Sequence, residues 1–499
     1  MIMRHIIQFF IGLLFFSSTA WAQVHELPRS TPEAEGIPSS AISLFLDSLT
    51  SYPHSDIHSV MILRHGKVVA ELYPEPYKAE YRHTMYSCSK TFVSTAIGIA
   101  VDENRLRVTD RVATFFPELL PEEISPELAA MTIHDLLIMA SGVDPDGTIR
   151  AENDDWIKVY LSKPVSRPGK KFKYDSLCTY LLSAIIQRVT GMKTLDYLKE
   201  KLFNDMHITD VSWEESPEGY NVGGWGLHIQ CESLAKMGQL LLQKGRWNGK
   251  QLVSEEWVKQ MMSNHIATSE EGTAYYGYQM WGCPPNGSFR ADGRLGQFIL
   301  VLPETDMVVA ITECTWSPQL RFVWELILPK VQDAKLTTGK DYLRLLKEIK
   351  AYRYPTLQGK ASSSLMKQLE GKTYTLDKNE FGWKSLSFKQ QKNELILSVK
   401  DEYGKAYDLS LGFKKWITNE VEGYPLYSMT ARQKFKAIEG PFHMAGCYAW
   451  SKQTLNFKIE YVDWISAAEI SLVPEGNQII IKVRKNYQGQ EEEMRGVSR

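Results

Sequence analysis

The sequence predicts an α+β fold: an antiparallel sheet flanked by helices, with a mostly helical subdomain between its strands, then a small all-β, barrel-like C-terminal domain. Three observations carry this. Strand patterns occur near residue 60 and again near residue 300, with helical patterns between them, so strands distant in sequence must join one sheet. From about residue 366 short alternating apolar runs replace the helical period. At 499 residues the chain is too long for one ordinary domain.

The first segment reads as an address. Residues 1–22 have a polar start at Arg4 and His5, a mostly apolar run from Ile6 to Phe16, and Ala20-Trp21-Ala22 with small residues at both cleavage-recognition positions. This is the plan of a secretory signal peptide, and the apolar run falls short of the roughly 20 residues a membrane span needs. An exported chain is expected, periplasmic or secreted after cleavage near Ala22, with no stable membrane span.

The remaining elements follow in order. Ser59–Leu63 and Lys67–Leu72, split by Arg64-His65-Gly66, read as a hairpin. Thr91–Val101 is small and apolar nearly all round, which suits a fully buried helix. Thr132–Met139, Leu177–Val189 before Gly191, and Glu232–Leu242 before Gly245 read as helices. Gln297–Leu302 and Met307–Thr312 are strands separated by Pro303-Glu304-Thr305-Asp306, and a helix is expected at about Gln319–Val331. The expected division is 1–22 signal peptide, 23–334 sheet-and-helix domain, 335–365 linker with a helix near Tyr342–Lys350, and 366–499 antiparallel β domain.

Composition narrows the function. Lys+Arg is 57 against Asp+Glu 59, so nothing marks a surface for nucleic acid. The six cysteines (Cys88, Cys178, Cys231, Cys283, Cys314, Cys447) lie mostly in apolar segments and are expected as buried free thiols. No Cys-x-x-Cys or His-x-x-x-His spacing supports a zinc site, and no cofactor is expected.

Ser-x-x-Lys occurs three times, at Ser87/Lys90, Ser233/Lys236 and Ser364/Lys367. Context separates the copies. Ser364 lies in the linker, and Ser233 opens an amphipathic helix whose Lys236 can sit on the solvent face. Ser87 opens the buried helix. A lysine in its first turn has lost water, which disfavours the charged form and makes Lys90 a candidate base on the same face as Ser87. The competing reading makes Ser87 an N-cap and Lys90 a solvated cation. Downstream, Tyr174 and Ser176 sit on a loop at a helix start, where Tyr174 could relay a proton or merely pack, and Ser176 could be an N-cap. Phe289-Arg290-Ala291-Asp292-Gly293-Arg294-Leu295-Gly296-Gln297 then leads into a strand, its glycines allowing close approach to a ligand or a plain hairpin turn.

The order Ser-x-x-Lys, Tyr-x-Ser, Gly-containing sheet edge resembles the serine hydrolases related to class C β-lactamases and penicillin-binding proteins. More narrowly, it looks like the branch with 6-aminohexanoate-dimer hydrolase and related esterases. The resemblance spans about residues 30–330 and includes Met85-Tyr86-Ser87-Cys88-Ser89-Lys90, Thr132-Ile133-His134-Asp135-Leu136-Leu137, Gly223-Gly224-Trp225-Gly226-Leu227 and Trp247-Asn248-Gly249-Lys250-Gln251. It implies a β-lactamase-like sheet, Ser87 as acylated nucleophile, Lys90 as its base partner, and Tyr174 as proton shuttle to the leaving group. It also implies an oxyanion hole from the backbone N–H of Ser87 and Arg294, and Ser176, Asp292, Gly293 and Gln297 as substrate-positioning residues. The partner is a small ester, amide or peptide. The other open readings are a β-lactamase or D-amino-acid peptidase, and a non-catalytic binding protein on a hydrolase fold. One departure stands out: β-lactamases carry Lys-Thr-Gly where this chain has Ala291-Asp292-Gly293. Arg290 and Arg294 are expected on the strand face opposite Asp292, leaving its carboxylate unneutralised. Neutral short-chain esters or amides are therefore expected to be better substrates than penicillins.

Overall fold

The computed structural model describes residues 27–53, 55–269, 273–285, 287–428, 435–438 and 440–498; the expected signal peptide lies outside the described residues. The first unit is built on one antiparallel sheet. Its strands are β1 (Ile57–Arg64), β2 (Lys67–Leu72), β3 (Ile266–Ala267), β4 (Tyr275–Tyr276), β5 (Trp281–Gly282), β6 (Phe289–Gly293), β7 (Gln297–Leu302) and β8 (Met307–Glu313). They lie in the order β2-β1-β8-β7-β6-β5-β4-β3, so the hairpin near residue 60 pairs with strands almost 250 residues later.

Alternation sorts the strand residues onto two buried faces. Val60, Ile62, Phe298, Leu300, Val309 and Ile311 pack with Ile42, Phe45 and Leu49 of helix α1 (Ser39–Ser51). Met61, Leu63, Ile299, Val301, Val308 and Ala310 meet the helical subdomain, which includes α2 (Ser89–Asp102), α3 (Ser176–Thr190) and α4 (Cys231–Leu242). A sheet covered on both sides needs apolar residues at every position, which explains why these strands read as continuous apolar runs.

Local signals set the helix ends. In the short helix Ile133–Leu137, Thr132 and Asp135 form a reciprocal capping box. Helix α3 starts at N-cap Asp175, whose Oδ1 accepts the Leu177 N–H at 2.9 Å, and stops at Gly191 with φ 74°. The expected helix at 319–331 is not regular: a π-helical turn at Val323–Ile327 passes into a 3₁₀ turn at Leu328–Lys330. Pro329 lacks an N–H, and its ring opposes an α-helical turn before it. Helix α5 (Lys340–Ala351) buries Leu345 in the α1 layer, and beyond it the Tyr354 hydroxyl donates to Ile57 O at 2.8 Å.

The second unit comprises β9 (Thr373–Leu376), β10 (Trp383–Gln391), β11 (Glu394–Asp401), β12 (Ala406–Phe413), β13 (Ile417–Val421), β14 (Phe442–Ser451), β15 (Thr454–Tyr461), β16 (Ala467–Glu475), β17 (Gln478–Lys485) and β18 (Glu491–Ser498). All but β13 close a ring of nine strands, with β13 paired to β14 outside it. An odd ring cannot be antiparallel throughout, and the one parallel pair joins β12 to β14 at Gly412–Cys447 and Phe413–Tyr448. Leu386, Leu397, Leu409, Phe457, Ile470 and Ile481 belong to its packed core.

The barrel is not an appendage. Tyr86, Leu295 and Cys314 of the first unit join its apolar core. The Thr84 N–H donates to Asp463 O at 3.2 Å, and Asn486 Nδ2 donates to Asp56 Oδ2 at 2.7 Å. The connection from β13 to β14 reaches further: Tyr427 donates to Glu214 Oε2 at 2.5 Å, and Lys436 and Glu215 exchange backbone hydrogen bonds at 2.9 Å. All six cysteines are buried and unpaired. Among the described residues no helix is long and apolar enough to cross a membrane.

Candidate active site

The cleft begins at a strained turn. Tyr86 has φ 42°, a conformation that costs a non-glycine residue about 1–3 kcal/mol and persists only when its surroundings enforce it. Those surroundings come partly from the barrel: the Tyr86 side chain is buried in the barrel's core cluster, and its hydroxyl lies 2.7 Å from Ser428 Oγ. From His83 to Ala100 every residue is buried except Ser87, which the turn leaves open to the cleft. The turn runs directly into α2, with no side-chain cap at its start. Ser87 is therefore not an N-cap.

Lys90 lies one turn on and is 1% exposed. Its Nζ has three oxygen neighbours: Ser87 Oγ at 3.0 Å, Ser176 Oγ at 3.0 Å and Gly224 O at 2.5 Å. None is a carboxylate. Burial lowers its pKa to about 7, with the nearby Asp175 charge opposing the shift and Arg150 assisting it. A neutral amine fits these partners: two N–H groups donate to Gly224 O and Ser176 Oγ, and the lone pair faces the Ser87 hydroxyl. Lys90 Nζ also lies 4.9 Å from the centre of the Tyr174 ring, which stacks on Trp281 at 5.3 Å.

Gly293 brings the sheet edge to the Ser87 turn. A Cβ there would sit 2.4 Å from Met85 O, so only glycine lets β6 pass this close to the turn. Just beyond it is Arg294; among the described residues neither its N–H nor that of Ser87 has an acceptor. Gly293→Ala is expected to push the two apart and lower kcat by about 10²-fold, the scale of losing one oxyanion donor. Steady-state kinetics beside a thermal melt checks this, since the loss should exceed what any unfolded fraction explains.

Three expectations need correction. Asp292 is not unneutralised: its Oδ2 accepts from Arg290 Nε at 2.9 Å. Residues two apart on a strand share a face, so alternation pairs them rather than separating them. Lys236 is not on the solvent face; it is 5% exposed, and its Nζ donates to Met206 O at 3.1 Å and His207 O at 3.3 Å. Gln297 is fully buried, its amide donating to Arg294 O at 3.2 Å and Glu313 O at 2.7 Å, so it reaches substrate only through the turn it braces. Ser87, Lys90, Ser176 and the Tyr174 ring do converge. Sequence reasoning assigned no role to Gly224 O, Trp225, Trp281 or Arg150. The Gly223-Gly224-Trp225-Gly226 run was the available signal: a Cβ on Gly224 would lie 2.5 Å from Ser176 O, a close approach that glycine allows.

The beta-lactamase family profile matches residues 58–322. The 6-aminohexanoate-dimer hydrolase of Paenarthrobacter ureafaciens is 25% identical over 288 residues, 52% of this chain and 73% of that protein. Protein flp of Staphylococcus aureus is 25% identical over 174 residues, 32% of this chain and 35% of that protein. Among solved structures, the octameric penicillin-binding protein homologue from Pyrococcus abyssi aligns with a TM-score of 0.49 and 17% identity, covering 91% of this chain and 99% of that one. The profile match takes in β1, the Ser87 turn, α3 and the β6–β8 edge: the chain belongs to the beta-lactamase family and is a serine hydrolase of that fold.

Proposed function

We propose that this chain is an exported hydrolase cleaving a small ester or amide through an acyl-enzyme on Ser87, with the catalytic domain at 23–334 and 335–365 joining it to the β domain. The observation that carries this reading is the buried, carboxylate-free Lys90 Nζ at 3.0 Å from Ser87 Oγ. Ser87 Oγ bonds to the substrate carbonyl carbon as its proton passes to Lys90 Nζ. The Ser87 and Arg294 N–H groups hold the oxyanion; as the C–O or C–N bond breaks, the proton held on Lys90 passes by way of the Tyr174 hydroxyl to the departing alcohol or amine. Water then attacks the acyl-enzyme by the same route in reverse roles, releasing the acid and restoring Ser87. The test is a fluorophosphonate label followed by peptide mapping. Label on the peptide containing Ser87 supports the reading; an unlabelled, folded chain leaves a binding protein instead.

The pH dependence has a definite sign. Below about 7 Lys90 is an ammonium with no lone pair for the Ser87 proton; above it the amine is free. The kcat/KM for a neutral ester should therefore rise with pH through a midpoint near 7. A flat profile from pH 5 to 9 would remove Lys90 as the base.

A further inference from the structure

We propose that Arg150 is the docking group for a carboxylate on the substrate, so that the preferred substrates are esters or amides of dicarboxylic acids or of similarly acidic acyl groups. This rests on the reading of Ser87 as nucleophile. The Arg150 guanidinium lies 4.8 Å from the centre of the Trp225 ring, and Trp225 directly follows Gly224, whose carbonyl accepts from Lys90. Trp225 is 2% exposed and is held by Trp156 at 6.0 Å and Phe435 at 5.8 Å, the latter supplied by the β13–β14 connection of the barrel. An aromatic face fixes the plane of a guanidinium and leaves its N–H edges free for a two-pronged grip on a carboxylate.

The charges around the cleft lack a matching anion. Arg150 is only partly exposed and has no ion pair or hydrogen bond among the described residues. Asp175 is the carboxylate whose charge reaches it, but Asp175 is buried and caps α3 through the Leu177 N–H. Asp292 is taken by Arg290. Arg294, just beyond Gly293, rests on the Trp316 ring at 5.1 Å, with no carboxylate partner among the described residues. The Arg150 charge reaches Lys90, the neighbour of Ser87, and a half-buried guanidinium without an anion is a cost that a bound carboxylate removes. This reverses the preference for neutral substrates expected from Asp292 alone.

The test compares 4-nitrophenyl hydrogen glutarate with 4-nitrophenyl valerate, esters of equal chain length that differ in one carboxylate. The native enzyme should favour the glutarate in kcat/KM. Arg150→Gln should lower the glutarate-to-valerate ratio by about 10–100-fold, the scale of a charged hydrogen bond, and Arg150→Lys by less. An unchanged ratio, or a native preference for valerate, overturns the proposal. A role confined to holding down the Lys90 charge would instead shift the pH profile of both esters alike and leave their ratio intact, which also overturns it. Glutarate binding to Ser87→Ala by calorimetry separates the two readings: it should weaken about 10-fold or more when Arg150→Gln is added. Arg150-dependent binding with no fluorophosphonate label on Ser87 would keep the subsite and discard the nucleophile; a labelled Ser87 with Arg150-independent binding does the reverse.

Discussion

Ser87→Ala is expected to lower turnover of any ester substrate by roughly 10⁴–10⁶-fold, as removal of a serine nucleophile does elsewhere, while the protein stays folded. The stability cost is small because the Ser87 hydroxyl caps no helix and its one hydrogen-bond partner among the described residues is Lys90 Nζ. A shift in melting temperature worth about 1 kcal/mol or less is expected. The control is the other Ser-x-x-Lys on a helix: Ser233→Ala should leave turnover within a few-fold of native, since Lys236 is committed to the Met206 and His207 carbonyls. Loss of activity in Ser233→Ala with survival in Ser87→Ala would exchange the two assignments.

Lys90→Arg is expected to lower the acylation rate by about 10²–10⁴-fold, the contribution of a positioned base. A guanidinium does not deprotonate in proteins, and its planar fork does not fit a pocket shaped around one tetrahedral nitrogen with three oxygen neighbours. Lys90→Met keeps the apolar stem and removes the amine, so it separates lost basicity from lost packing. Stopped-flow release of 4-nitrophenol measures acylation directly, with circular dichroism reporting the fold. Native-like acylation in Lys90→Met would show that Ser87 is activated by something else.

Much of the scaffold is written locally. The β1–β2 hairpin, the buried helix after Ser87, the α3 stop at Gly191 and the short alternating apolar runs of the barrel follow from period, turn residues and caps within a few positions. The 319–331 segment misleads because its apolar spacing is helical while Pro329 blocks the regular helix. The convergence of Ser87, Lys90, Tyr174 and Ser176 was legible only through motif order, since their positions span nearly 90 residues. Lys236 shows the limit of pattern: an amphipathic helix suggests a solvated lysine, but carbonyls from another segment cover it.

What the sequence determined by itself was the two-part architecture and the candidate side chains of the site, because hydrophobic period and short motifs are local properties. What tertiary structure alone decided was charge and enclosure. Whether Asp292 is neutralised, whether Lys90 loses its proton and whether Arg150 keeps an open guanidinium depend on which groups meet after folding, at separations the chain order does not reveal. The barrel's part is of the same kind. Nothing in residues 366–499 reads as catalytic, yet Ser428 braces the strained Tyr86 and Phe435 backs the Trp225 that carries Arg150. Contacts between residues more than 200 positions apart follow from packing two cores together, which no local pattern encodes.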